Sequence, residues 1–327
     1  MTRRAPLVLA ALPLALALVA CSAADGGTGD GTGDDGVRVL ASFYPLQYVA
    51  EQVGGDLVSV DNLTPPSAEP HDLELAPAQV RAVGDADVVV FQSGFQPAVD
   101  EAVAARAPQH VVDAAEVVAL EAEPGSVGHA GETAEEHAEH ADDDAADSHD
   151  HGSLDPHFWL DPTLLVPVAH EVAAQLGAAD PDNAATYTAN AENLDATLQD
   201  LDTEYAAALE ACQGETLVTS HAAFGYLAER YGLSQVGISA LDPEAEPSPA
   251  RLREIGAVVV DNDVRTIFTE TLTSPKVAET LAGDLGVTTA VLDPLEGLST
   301  ELSASGADYI SIMDDNLAAI TEGLGCA

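Results

Sequence analysis

Three histidines and one aspartate occupy positions where folding could gather them into a metal site. His71 lies in the loop 64–74, after an apolar strand pattern. His157 sits within Asp155-Pro156-His157-Phe158-Trp159-Leu160-Asp161-Pro162. His221 follows the strand pattern 216–220, and Asp293 follows 289–292 just before Pro294. His221 and Asp293 therefore fall at the carboxyl ends of expected parallel strands, where open α/β sheets place their ligands. Three imidazoles and a carboxylate form a four-coordinate nitrogen and oxygen set suited to Zn²⁺. Mg²⁺ and Ca²⁺ prefer oxygen throughout, and Cu(I) prefers sulfur. A single histidine such as His157, beside Phe158 and Trp159, has the plainer reading of a core residue. Four candidates at strand or helix ends argue for a site. Glu69, Asp72, Asp155 and Asp161 are near enough in sequence to orient the imidazoles from behind.

A second group is different in kind. His129, His137, His140, His149 and His151 are scattered among acids in residues 127–152. Nothing there can build a core, so the composition predicts a surface loop. Such loops are commonly solvated linkers; the repeated imidazole favours auxiliary, weak metal capture.

A zinc hydrolase would also use three protein ligands, with water in the fourth position. Against that reading, His170-Glu171 lacks the second His of the metalloprotease pattern, and a fourth ligand at Asp293 closes the position catalysis needs. No Gly-rich phosphate loop is found either, so energy for transport would come from a partner ATPase. We expect a binding protein, not an enzyme.

The 327 residues carry 56 acids against 10 Lys and Arg, a net charge of −46, which excludes nucleic acid as a natural partner and suits a handler of cations. Arg3 and Arg4 precede an apolar run over 7–20, too short to span a bilayer and typical of a secretory signal. Leu18-Val19-Ala20-Cys21 resembles a bacterial lipobox, which makes Cys21 the lipidated residue and residues 1–21 the signal peptide. The Gly, Asp and Thr of residues 22–36 suit a flexible tether. Cys212 and Cys326 then remain as an even pair, which in an exported chain suggests a disulfide; two free buried thiols are the alternative.

Continuously apolar strands alternate with helical patterns, which predicts an α/β fold with parallel sheets covered on both faces. The spacing of Tyr187, Ala191, Leu194, Leu198, Leu201, Tyr205 and Leu209 predicts one helix over 182–211, roughly 40 Å long, a rigid rod between lobes spanning 37–181 and 212–327. Residues 258–260 read as a strand. Leu40 to Glu51 and Val218 to Glu229 align without a gap, and Pro77-Ala78 is echoed by Pro249-Ala250, as two lobes of one plan would require.

Taken together, the lipobox, the long helix between two lobes, Pro70-His71-Asp72, the segment 155–162, Ser220-His221-Ala222-Ala223-Phe224-Gly225-Tyr226 and Leu292-Asp293-Pro294-Leu295 resemble the zinc- and manganese-binding lipoproteins of bacterial metal ABC importers. The resemblance covers essentially the whole mature chain. It implies a monomer, lipid-anchored outside the cell membrane, that holds Zn²⁺ between its lobes and delivers it to an ABC permease. It also implies that His71, His157, His221 and Asp293 are the metal ligands. Manganese members typically carry Glu where His221 stands, so the zinc branch is favoured; Mn²⁺ or iron, or a metal-binding adhesin, are the alternatives. Pro70 stands where some zinc members place an acid, which argues against Glu69 as a ligand and leaves Asp293 or water to complete the site.

Overall fold

The computed structural model describes residues 36–121 and 154–326. Cys21, the expected signal peptide, all but the last residue of the expected tether and the five histidines of the 127–152 segment lie outside the described residues.

Two parallel four-stranded sheets form the frame. The first comprises β1 (Val37–Ala41), β2 (Val58–Asn62), β3 (Val88–Phe91) and β4 (Val111–Asp113), in the order β2-β1-β3-β4. Its crossovers are α1 (Tyr44–Gly54), α2 (Pro77–Asp85) and α3 (Pro97–Arg106), and α4 (Ala114–Val117) follows β4. Two long helices come next, α5 (Pro162–Ala179) and α6 (Ala184–Ala208). The second sheet comprises β5 (Thr216–Thr219), β6 (Ser234–Gly237), β7 (Thr266–Thr269) and β8 (Thr288–Val291), in the order β6-β5-β7-β8. Between and after its strands lie α7 (Gly225–Tyr231), α8 (Pro249–Asp261), α9 (Lys276–Leu285), α10 (Thr300–Ser305) and α11 (Tyr309–Leu324). The two sheets share one topology, as the internal echo in the sequence requires. Both α2 and α8 begin on a proline, which needs no hydrogen-bond partner at the first helical position.

The long helix buries Tyr187, Ala191, Leu194, Leu198, Leu201 and Tyr205 along one face, against α5, α1 and α11. Asp161 caps α5 by accepting from Thr163 N, with Pro162 in the first turn. Residues 258–260 are not a strand. They are the last turns of α8, where Ile255 and Val259, four apart, point inward and Val260 stays 66% exposed. Helical period overrides the β propensity of three consecutive valines. Cys212, at the end of the turn after α6, is bonded to Cys326 beyond α11, with Cα atoms 5.4 Å apart.

Candidate metal centre

Three of the loops around the site share one local device. In Glu69-Pro70-His71, Asp155-Pro156-His157 and Asp293-Pro294-Leu295, the acid accepts a hydrogen bond from the backbone N–H two residues on, at 2.9, 2.9 and 2.8 Å. Proline between them fixes φ and has no N–H to satisfy, so each triplet is a tight, pre-set turn. The first two turns each aim the histidine that ends them. The third holds Leu295 at φ +60°, a left-handed conformation costly for a branched side chain, and so turns the next residue, Glu296, inward.

These turns, with the loop after β5, bring together His71, His157, His221 and Glu296, whose donor atoms all lie within 4.8 Å of one another. Glu296 Oε1 is 3.3 Å from His71 Nε2, 3.0 Å from His157 Nε2 and 3.1 Å from His221 Nε2. The Nε2 atoms of His157 and His221 are 3.4 Å apart. A tetrahedron with zinc–ligand bonds of about 2.0–2.1 Å has edges of about 3.3–3.4 Å, so the donor types suit that ion and these four separations of 3.0–3.4 Å lie close to such edges. His157 and His221 are fully buried and Glu296 nearly so; the His71 side chain, 14% exposed, is the member that reaches solvent.

The imidazoles are oriented from behind. His157 Nδ1 donates to Asp155 Oδ1 at 2.7 Å, and His221 Nδ1 donates to Glu270 Oε2 at 2.7 Å, which leaves each Nε2 directed at the centre. Glu270 also accepts from His221 N. Burial works to lower the His221 pKa, but the charges of Glu270 and Glu296 outweigh it and push it up to about 10. His157 is likewise raised: its burial is outweighed by the hydrogen bonds to Asp155 and Glu296. Glu296 moves the opposite way, its burial overcome by His221 and by the bonds from all three histidines.

One expected donor stands elsewhere in the structure. Asp293 is not among the four gathered donors; Glu296 takes that place. Asp293 Oδ2 accepts from Thr271 Oγ1 at 2.9 Å, Oδ1 accepts from Leu295 N, and its backbone is clasped on both sides by Asn316. Burial, ahead of the opposing hydrogen bonds, lifts its pKa to about 6. It shapes the turn that presents Glu296. Of the four acids expected behind the imidazoles, Asp155 orients a ring and Glu69 fixes the His71 backbone. Asp161 caps α5, and Asp72 is exposed. His170 is far from buried and stands 3.9 Å from Asp195.

Trp159 links the two halves that supply the gathered donors. Its indole N–H donates to Pro294 O at 2.8 Å, its carbonyl accepts from Tyr309 OH, and its ring lies 5.3 Å from that of His157.

Residues 39–323 match the family described as ZnuA, zinc-uptake complex component A, periplasmic. The high-affinity zinc uptake system protein ZnuA of Bacillus subtilis is 37% identical over 91% of this chain and 90% of its own length. The zinc-binding lipoprotein AdcA of Streptococcus pneumoniae is 35% identical over 98% of this chain, which spans only 61% of that longer protein. The Zn(II)-bound ZnuA-like domain of AdcA superimposes with a TM-score of 0.71 at 32% identity, covering 88% of this chain and 99% of the domain. The laminin-binding protein Lmb of Streptococcus agalactiae, described as both adhesin and metal transporter, gives 0.73 at 30% identity, over 88% of this chain and all of its own. The chain belongs to the ZnuA family of zinc-uptake binding components.

Proposed function

We propose that this protein captures Zn²⁺ outside the cell membrane and delivers it to an ABC permease whose ATPase supplies the energy. The carrying observation is the convergence of three imidazole Nε2 atoms to within 3.0–3.3 Å of one carboxylate oxygen in a largely buried site. His71, His157, His221 and Glu296 are the ligands. The first two come from the half built on β1–β4 and the last two from the half built on β5–β8, so separating the halves, or protonating the imidazoles, releases the ion.

The zinc-uptake role of the Bacillus subtilis relative and the zinc-bound AdcA domain support the same cargo. Nitrogen-rich coordination favours Zn²⁺ over Mn²⁺, which suits oxygen donors. Glu296, standing with the three imidazoles, fills the position a zinc hydrolase keeps open for water, which supports a carrier without catalysis. Lipid on Cys21 would anchor the chain at the membrane, with lobes divided at the long helix, and the 127–152 segment would gather zinc weakly. Anomalous diffraction from crystals grown with zinc tests the ligand set. A single strong peak among the four donors is expected, and a peak elsewhere would refute it.

A further inference from the structure

The Ser220-to-Tyr226 motif contains a side chain that the ligand set does not use. Tyr226 lies on α7, five residues beyond the ligand His221, and is 5% exposed. Its phenol oxygen accepts from Glu121 N at 2.8 Å and donates to Asp155 O at 3.0 Å. Asp155 N in turn donates to Glu121 O at 2.9 Å. Glu121, Asp155 and Tyr226 thus form a closed triangle of hydrogen bonds at the stem from which the His157 turn emerges. Asp155 carries the carboxylate that fixes both His157 N and His157 Nδ1.

We propose that Tyr226 is a positioning residue for the zinc site, tying the α7 segment that follows His221 to the turn that aims His157. The inference rests on the zinc-carrier reading and deepens it. Asp155 can hold the His157 ring in one orientation only while its own backbone is held, and the phenol holds the carbonyl side. Without the hydroxyl, Asp155 O and Glu121 N each lose a buried partner. The Asp155 carboxylate then shifts, and His157 Nε2 departs from the tetrahedral position. Loss of groups that orient metal ligands typically weakens binding 10- to 100-fold. Tyr226 acts one bond further out, so about tenfold is expected.

A comparison on one helix separates positioning from simple stability. Tyr231, also on α7 and 5% exposed, donates its hydroxyl to Asp202 at 3.1 Å rather than to either ligand turn. Tyr226→Phe and Tyr231→Phe each remove one hydroxyl and keep the ring. We expect Y226F to release Zn²⁺ to a chelator about tenfold faster than wild type, and to alter the visible absorption of bound Co²⁺, which reports coordination geometry. Y231F should match wild type in both, whatever it does to the melting temperature. A Y226F protein whose zinc release lies within twofold of wild type, with an unchanged Co²⁺ spectrum, would overturn the proposal while leaving the carrier reading intact. A wild type with no tight zinc site would overturn both. Should Y226F fail to fold, amide exchange in the wild type decides: zinc loading must slow exchange at Glu121 and Asp155, and equal rates with and without zinc would sink the idea.

Discussion

Glu296 Oε1 stands 3.1 Å from Nε2 of His221, and both side chains are essentially excluded from water. In the metal-free protein a proton must lie on the imidazole side of that contact, because His221 is pushed up to about 10 while Glu296 is held below the usual carboxylate range. Zinc takes the imidazole as its neutral form. Binding at pH 7 therefore expels at least one proton, and calorimetry in buffers of different ionisation enthalpy should measure it. Affinity should fall by about tenfold per proton for each pH unit lowered. Equal affinity at pH 5 and pH 7 would contradict this.

The same pair makes metal-free stability depend on pH. His221 has a folded pKa above its unfolded value of about 6.5, so its contribution is complete below that pH and is lost as pH rises through about 10. Thermal denaturation from pH 6.5 to 10 should show the gain from added zinc widening, because the loaded protein no longer holds that proton. A constant gap would rule the linkage out.

Trp159 is the single tryptophan of the chain, which makes its fluorescence a reporter of the contact between the halves. Trp159→Phe removes the bond to Pro294 O beside the Glu296 turn. Leaving that buried carbonyl unpaired costs about 1–3 kcal/mol, readable by urea unfolding. We expect zinc affinity to fall with it, and wild-type emission to shift on zinc binding. Unchanged emission and unchanged affinity in the variant would mean that this bond does not hold the Glu296 turn.

The bond between Cys212 and Cys326 pins the end of α11 beside the end of α6, and neither cysteine is among the gathered donors. Cys326→Ser should cost about 2–4 kcal/mol of stability by freeing the unfolded chain, again measured in urea. Zinc affinity should stay at the wild-type value. A drop in affinity would place the disulfide in the binding mechanism.

Much of the site was legible because histidine is rare among the described residues, and His157 and His221 stand beside helix and strand ends while His71 follows a proline in the loop before α2. The parallel sheets were legible from apolar runs such as Val88–Phe91, and the long helix from a seven-residue stripe buried along its length. The fourth gathered donor differs from the expected one for a geometric reason. Asp293 stands just after β8, where a ligand is expected, but the left-handed turn at Leu295 brings Glu296 to the gathered histidines instead. A signal did exist. In Glu69-Pro70-His71 and Asp155-Pro156-His157 the acid serves the turn and the donor comes after the proline, so Asp293-Pro294-Leu295-Glu296 could have been read likewise. Glu270 carries no such mark, since it reaches His221 only across the sheet from the end of β7.

The central claim is that Glu296, and not Asp293, completes the zinc centre. It is tested most directly by competition titration of the metal-stripped protein with Zn²⁺ against a chelator, comparing Glu296→Gln with Asp293→Asn. The account predicts one tight site per chain. E296Q should weaken it by more than about 100-fold, beyond the usual loss for a group behind the ligands, and D293N by less. If D293N weakens zinc more than E296Q does, the ligand set described here is wrong.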